Sequence, residues 1–314
     1  MSPILNSPMA KRLLRPATTL VDQRVQRPVS RLRKELDALR REVKELEQLR
    51  RQVGELRGQE YAVGLLFDRT GRSGPRLPTA AQIDTLVAEV AKVSGTDPKA
   101  ARRNVTVAFR NVIALEALAV GRLAGSTQNV CGKLATVPLL DPPNAEVLEI
   151  GTLYGLFSAT MLRMLHRAGI EPELTIVDPL VGTQLQPGGL EGLDPTGTPV
   201  RLDVVRANLA LGGKAGERAR VQVGFSGDPD VRAAVSDREY GVIVIDGDHS
   251  AQGVTEDLEW AETIAAPGAV VVLDDYGDNK WAGVQEGADA YLAGSTRFDL
   301  VGRVSTSAFL RARD

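Results

Sequence analysis

Apolar positions along this chain change their period twice, and the changes divide it. From Pro28 to Gly58 the stretch "VSRLRKELDALRREVKELEQLRRQVGELRG" puts Leu32, Leu36, Leu39, Val43 and Leu46 at alternating steps of four and three. That is the seam of a short coiled coil. Leu49, Val53 and Leu56 continue it after a step of three, a stammer that overwinds the supercoil locally. Helical periodicity resumes in "TAAQIDTLVAEVAKVSG" and from Ala100 to Ala124. From Ala145 the pattern switches to short apolar runs alternating with helical stretches: "EVLEIG", "LTIVD", "RVQVG", "GVIVIDG" and "AVVVLDD". Such alternation predicts an α/β fold, a parallel sheet with helices on both faces. The last two runs, "FDLVGRV" and "SAFLRAR", are joined by too few residues for a crossover, so they form a hairpin and one terminal strand runs antiparallel.

The expected organisation is a flexible tail over 1–28, a coiled coil over 29–58, a linker and helical region over 59–136, and the main domain over 137–314. Gly and Pro mark "DRTGRSGPRLP" (68–78) as a turn-rich linker and "VGTQLQPGGLEGLDPTGTP" (181–199) as a flap. The narrow apolar stripe of 29–58 is best covered by a similar helix, which implies a homo-oligomer.

Composition narrows the function classes. At 314 residues and 43% hydrophobic content the chain can build a sizeable core. Its 38 basic residues nearly balance 40 acidic ones, so overall charge points to neither nucleic acid nor an anionic membrane. Cys131 is the single cysteine, no apolar run approaches the ~20 residues of a membrane span, and the first residues lack a secretory h-region, so a cytoplasmic protein is expected.

Candidate chemistry sits at the ends of the predicted strands. "VLEIGTLYGLFSATMLRML" (147–165) is strand, turn and helix, and its Glu149, Gly151, Gly155 spacing differs from the dinucleotide fingerprint G-x-G-x-x-G. Gly151 permits a tight turn beside a ligand, and the helix opening near Ser158 offers free N–H groups. The second strand ends in Asp178, and Phe225 and Ser226 follow the third. In this order the features resemble the class I S-adenosylmethionine (SAM) dependent methyltransferases, over about residues 137–313. The resemblance implies a Rossmann-like seven-stranded sheet with an antiparallel terminal strand. It also implies SAM held by Glu149, Gly151, Thr152, Gly155, Ser158, Asp178, Phe225, Ser226 and Asp246, with Asp178 on the ribose and Phe225 and Ser226 beside the adenine.

The fourth strand ends in Asp246 and the fifth in Asp274 and Asp275, while His249 stands three residues after Asp246. Three converging carboxylates repel one another unless a cation lies among them, and hard oxygen donors suit Mg²⁺ or another divalent cation. Asp248 is an alternative ligand to Asp246, and His249 alternatively caps the next helix or binds metal. The arrangement resembles the metal-dependent branch containing the macrocin and mycinamicin sugar O-methyltransferases and the cephalosporin hydroxylase-like proteins. That resemblance implies metal ligands Asp246, Asp274 and Asp275, with His249 as base. Asp274 stands where many of those relatives carry glutamate. The expected activity is methyl transfer from SAM to a hydroxyl of a sugar or glycosylated natural product, a small-molecule or glycan acceptor. An oxidative enzyme on the same fold and a non-catalytic SAM-binding scaffold are the alternatives.

Overall fold

The structure, a computed structural model, describes residues 8–66, 76, 78–181 and 198–314. Most of the expected linker (68–78) and of the expected flap (181–199) lies outside the described residues, as do the first seven residues of the expected tail. The chain divides into two units, Met1–Leu66 and Phe67–Asp314.

The first unit carries one helix, α1 (Pro8–Leu66), about 90 Å long at the usual rise. It overruns the 29–58 expectation at both ends. Pro28, the last residue of the expected tail, lies inside it, flanked by Arg- and Leu-rich sequence of good helix propensity. The predicted seam is exposed throughout, from Val53 at 46% to Leu32 at 63%.

The second unit opens with α2 (Ala80–Ser94), α3 (Pro98–Leu118) and α4 (Thr127–Thr136). Local sequence sets their starts. Thr79 and Gln82 form a reciprocal capping box on α2, Asp97 accepts from the N–H groups of Lys99 and Ala100 ahead of α3, and Ser126 accepts from Asn129 N–H to start α4. The sheet follows, with β1 (Glu146–Ile150), α5 (Leu156–Arg167), β2 (Glu173–Asp178), α6 (Leu202–Leu209), α7 (Lys214–Glu217) and β3 (Arg220–Val223). It is completed by α8 (Pro229–Val235), β4 (Tyr240–Ile245), α9 (Ala251–Ile264), β5 (Ala265–Leu273), α10 (Ala282–Leu292), β6 (Phe298–Val304) and β7 (Ser307–Ala312).

Strand order is β3-β2-β1-β4-β5-β7-β6. β1 to β5 pair in parallel, and β7 inserts antiparallel between β5 and β6, as the short hairpin requires. This is a seven-stranded mixed sheet with an antiparallel strand, the arrangement that the resemblance implied. Side-chain alternation divides the core: Val242, Val244, Val270 and Val272 join one apolar cluster, while Ile243, Ile245, Val271 and Leu273 join the other. Each such buried side chain contributes about 1.5–3 kcal/mol. Leu86, Val90, Val105, Val112, Val130 and Leu134 of α2 to α4 belong to the first cluster. The helical region ahead of the sheet therefore shares its core, because its apolar faces and the sheet face cover each other.

The order reverses between β1 and β4, and open α/β sheets bind ligands at such a point, outside the strand C-termini. Register carries the strand ends there together: Ile150 pairs with Val177 and Ile245, and Ile245 with Leu273. Asp246 N–H donates to Ile150 O at 2.8 Å and Asp274 N–H to Ile245 O at 3.0 Å, so both acids start at one rim.

Candidate active site

A cavity opens at this switch point, lined by Glu149, Gly151, Thr152, Asp178, Asp246 and His249 of the expected residues, with Lys133, Phe157 and Arg122 added. Gly151 has φ 84°, and a Cβ there would lie 2.0 Å from the carbonyl oxygen of Asp246. Only glycine lets the β1 turn and the end of β4 approach so closely. Gly155, at φ 76°, caps the start of α5.

Asp178 does more than wait for a ligand. Its Oδ2 accepts from the backbone N–H groups of Thr152 (2.6 Å) and Leu153 (3.1 Å), and Oδ1 accepts from Leu180 N–H (2.7 Å). The carboxylate clamps a turn in which Leu153 and Leu180 both adopt positive φ. Two oxygens offer about four lone-pair sites, so capacity for one ribose hydroxyl remains. Glu149 is buried, and Ser158 Oγ donates to its Oε2 at 2.6 Å. Burial pushes the Glu149 carboxyl up to about 7, against the Ser158 hydrogen bond. Ser158 and Gly155 support the turn from outside the cavity lining, and Phe225, about half exposed, and Ser226 lie in the loop after β3. The cavity, the glycine turn and the strand-end acid fit a nucleoside-type cofactor.

The three acids are not equivalently placed. Asp246, His249 and Asp275 each offer a ligand atom within 4.8 Å of the others, and Asp274 is outside this group. His249 Nε2 lies 2.9 Å from Asp275 Oδ2 and 3.7 Å from Asp246 Oδ1, its ring centroid is 4.5 Å from that of Trp281, and its Nδ1 is buried with no partner among the described residues. Asp275 reaches the imidazole because it adopts φ 56°, a strained conformation for a non-glycine residue. Asp274 contacts the Asp246 carboxyl but is otherwise engaged by other neighbours. Its Oδ1 accepts from Asn129 Nδ2 at 2.6 Å and from Ser307 Oγ at 2.8 Å, and its Oδ2 pairs with the Lys133 ammonium.

Charge follows this division. Burial raises the Asp246 carboxyl well above the usual range, and the neighbouring Asp274 adds to it. Burial also raises Asp275, opposed by its hydrogen bond to His249. For Asp274 burial is the largest single effect and acts upward too, but the Lys133 charge together with side-chain hydrogen bonds to Lys133, Asp246 and Asn129 outweighs it and holds the carboxyl below its ordinary value. Burial works against the Lys133 ammonium, yet Asp274 and Asp246 hold it above the ordinary lysine value. Asp246, Asp275 and His249 thus offer hard donors and a buried imidazole to one small volume, a fit for a divalent ion. Asp248 is taken up elsewhere, accepting from Ser250 N–H at 2.7 Å at the start of α9. His166 is exposed and pairs with Glu171.

Sequence reasoning passed over Lys133 and Asn129, which lie on α4 in a region whose role its pattern did not reveal. A lysine inside the otherwise apolar run "VCGKLATV" was the available signal.

Residues 148–276 match the family model of a methyltransferase domain. No curated protein matches the chain significantly. Among solved structures, the chain is similar to cofactor-bound Rv0187 from MTB, with 20% identity, 76% of this chain and 99% of that one covered, and TM-score 0.45. It is similar to the O-methyltransferase NovP at 14% identity, with 73% and 98% covered and TM-score 0.46. The O-methyltransferase TomG from Streptomyces achromogenes, involved in tomaymycin synthesis and solved with SAM, gives 18%, 66% and 90%, and TM-score 0.43.

Proposed function

We infer that the chain, whose residues 148–276 match the family model of a methyltransferase domain, transfers the methyl group of SAM to a hydroxyl, with a divalent ion such as Mg²⁺ at the acceptor side. The observation that carries this reading is the grouping of Asp246, His249 and Asp275 at the rim of the cofactor cavity. An alcohol is a weak nucleophile near neutral pH and needs its proton removed. Asp275 fixes the imidazole through Nε2, which leaves the buried, unpartnered Nδ1 of His249 as the acceptor of that proton. Trp281 packs on the ring and restricts its rotation. Asp246 and Asp275 are the carboxylates that would hold the ion. When bound, the ion supplies Lewis acidity that favours the alkoxide. The glycine turn, clamped by Asp178, places the sulfonium methyl, and the gain is one of orientation.

A sugar or glycosylated natural product is the acceptor class implied by the resemblance to the macrocin and mycinamicin branch. The 4% aromatic content of the chain agrees with a polyol better than with a catechol-like ring. Incubation with methyl-labelled SAM and a panel of glycosylated acceptors, with and without chelator, tests the reading by product mass. A methyl gain that disappears with chelator and returns with Mg²⁺ is expected. A gain of oxygen, or methylation unaffected by excess chelator, refutes it.

A further inference from the structure

Lys133 has no part in the chemistry above, yet its ammonium is sealed inside the carboxylate cluster, with the side chain only 3% exposed. It pairs with Asp274 Oδ2, and the Phe157 ring covers it at 4.7 Å from Nζ to the centroid. Asn129, one helical turn earlier on α4, and Ser307 at the start of β7 engage Asp274 Oδ1. Both oxygens of Asp274 are therefore held by neighbours on fixed elements. Asp246, which also contacts the Asp274 carboxyl, and Asp275 face His249, whose Nδ1 has no partner among the described residues. Counting charges, three carboxylates against one ammonium leave two negative charges, which a single divalent ion cancels.

Building on the metal-assisted reading above, we propose that Lys133 is a positioning residue that withdraws Asp274 from the ion-holding set. Asp246 and Asp275 hold the ion, and Lys133 with it makes the loaded centre neutral. An uncompensated buried charge is costly, whereas a pair of opposite charges can be replaced by a neutral pair of similar shape at little cost. The full-length chain, its Lys133→Met and Asp274→Asn variants and the double variant are titrated with Mn²⁺ alone, by calorimetry and by the loss of the free-ion electron paramagnetic resonance signal. Lys133→Met should bind Mn²⁺ at least about tenfold tighter, because a positive charge beside the ion is gone and Asp274 is released to it. Asp274→Asn should bind at least about tenfold more weakly, because the freed ammonium turns to the remaining carboxylates. The double variant should return to within about threefold of the parent, since the two effects share one interaction. A merely structural lysine would not tighten ion binding when removed. Near-UV circular dichroism checks the fold of each variant, and should a single variant fail to fold, the charge-neutral double variant decides alone. A double variant that stays as weak as about tenfold below the parent makes Asp274 a direct ligand and overturns the Lys133 inference only. A parent chain that binds no Mn²⁺ overturns this inference and the metal-assisted reading together.

Discussion

Replacing Glu149 by glutamine should flatten the pH dependence of stability between pH 5 and 8. Glu149 sits on β1 with 2% exposure, and its carboxyl is raised from an ordinary 4.5 to about 7, first by burial and against the Ser158 hydrogen bond. The unfolded chain gives up this proton near 4.5, while the folded chain keeps it to about 7. Between those values the native state binds more protons, so its stability falls as pH rises. The stabilisation is complete below about 4.5 and is lost as pH climbs through about 7. At 1.36 kcal/mol per pH unit of displacement, the loss is about 3 kcal/mol. Urea unfolding of the SAM-free protein at a series of pH values measures it. Tryptophan fluorescence is the right probe, because both tryptophans, Trp260 and Trp281, lie in the second unit with Glu149. Asp257, raised to about 6 chiefly by burial, slopes the curve in the same direction, but it does so in both proteins. The difference between parent and Glu149→Gln isolates the one carboxyl, since glutamine keeps the shape and can still bond Ser158. Parallel curves would show that Glu149 is ionised in the folded protein over this range and would refute the argument.

Three further outcomes follow from the site and the first helix. Asp178→Asn turns an amide toward the Thr152 and Leu153 N–H groups, so SAM affinity should fall by about 1–3 kcal/mol and the melting temperature should fall with it; calorimetric affinity and melting temperature both equal to the parent's would refute the clamp. His249→Gln should lower kcat by roughly 10²- to 10⁴-fold while Mn²⁺ binding is kept; loss of Mn²⁺ binding would make His249 a ligand instead of a base. The exposed seam of α1 should make the full-length chain an oligomer by light scattering, and a chain starting at Phe67 should have a smaller assembly; a monomeric parent or an unchanged assembly would refute this.

The sheet was legible because its central strands, β4 and most of β5 above all, are buried on both faces and so read as unbroken apolar runs ended by an acid. The hairpin of β6 and β7 was legible from length alone, since two residues separate the strands. The extent of α1 was not, because the leucine stripe marks only 29–58 while the helix runs beyond it at both ends. The shared core of α2 to α4 with the sheet was hidden too, since periodicity reveals which face of a helix is apolar and not what covers it.

At the site, sequence order carried the acids to one rim because parallel register does so for any strand ends in adjacent strands. It did not reveal that two consecutive aspartates part company. Adjacent residues leaving a strand point to opposite faces by default, and which face matters depends on what waits there. Asp274 meets Lys133, 141 residues away in sequence, and Asp275 meets His249 only by taking positive φ. Neither fact has a local signature, since a pairing over that span comes from packing and a strained backbone is maintained by its surroundings. The consequence is chemical. An acid triad read from sequence suggests three equivalent ligands. The folded arrangement pairs one of them with a buried lysine and another with an imidazole, so the two aspartates of a single dipeptide have different partners.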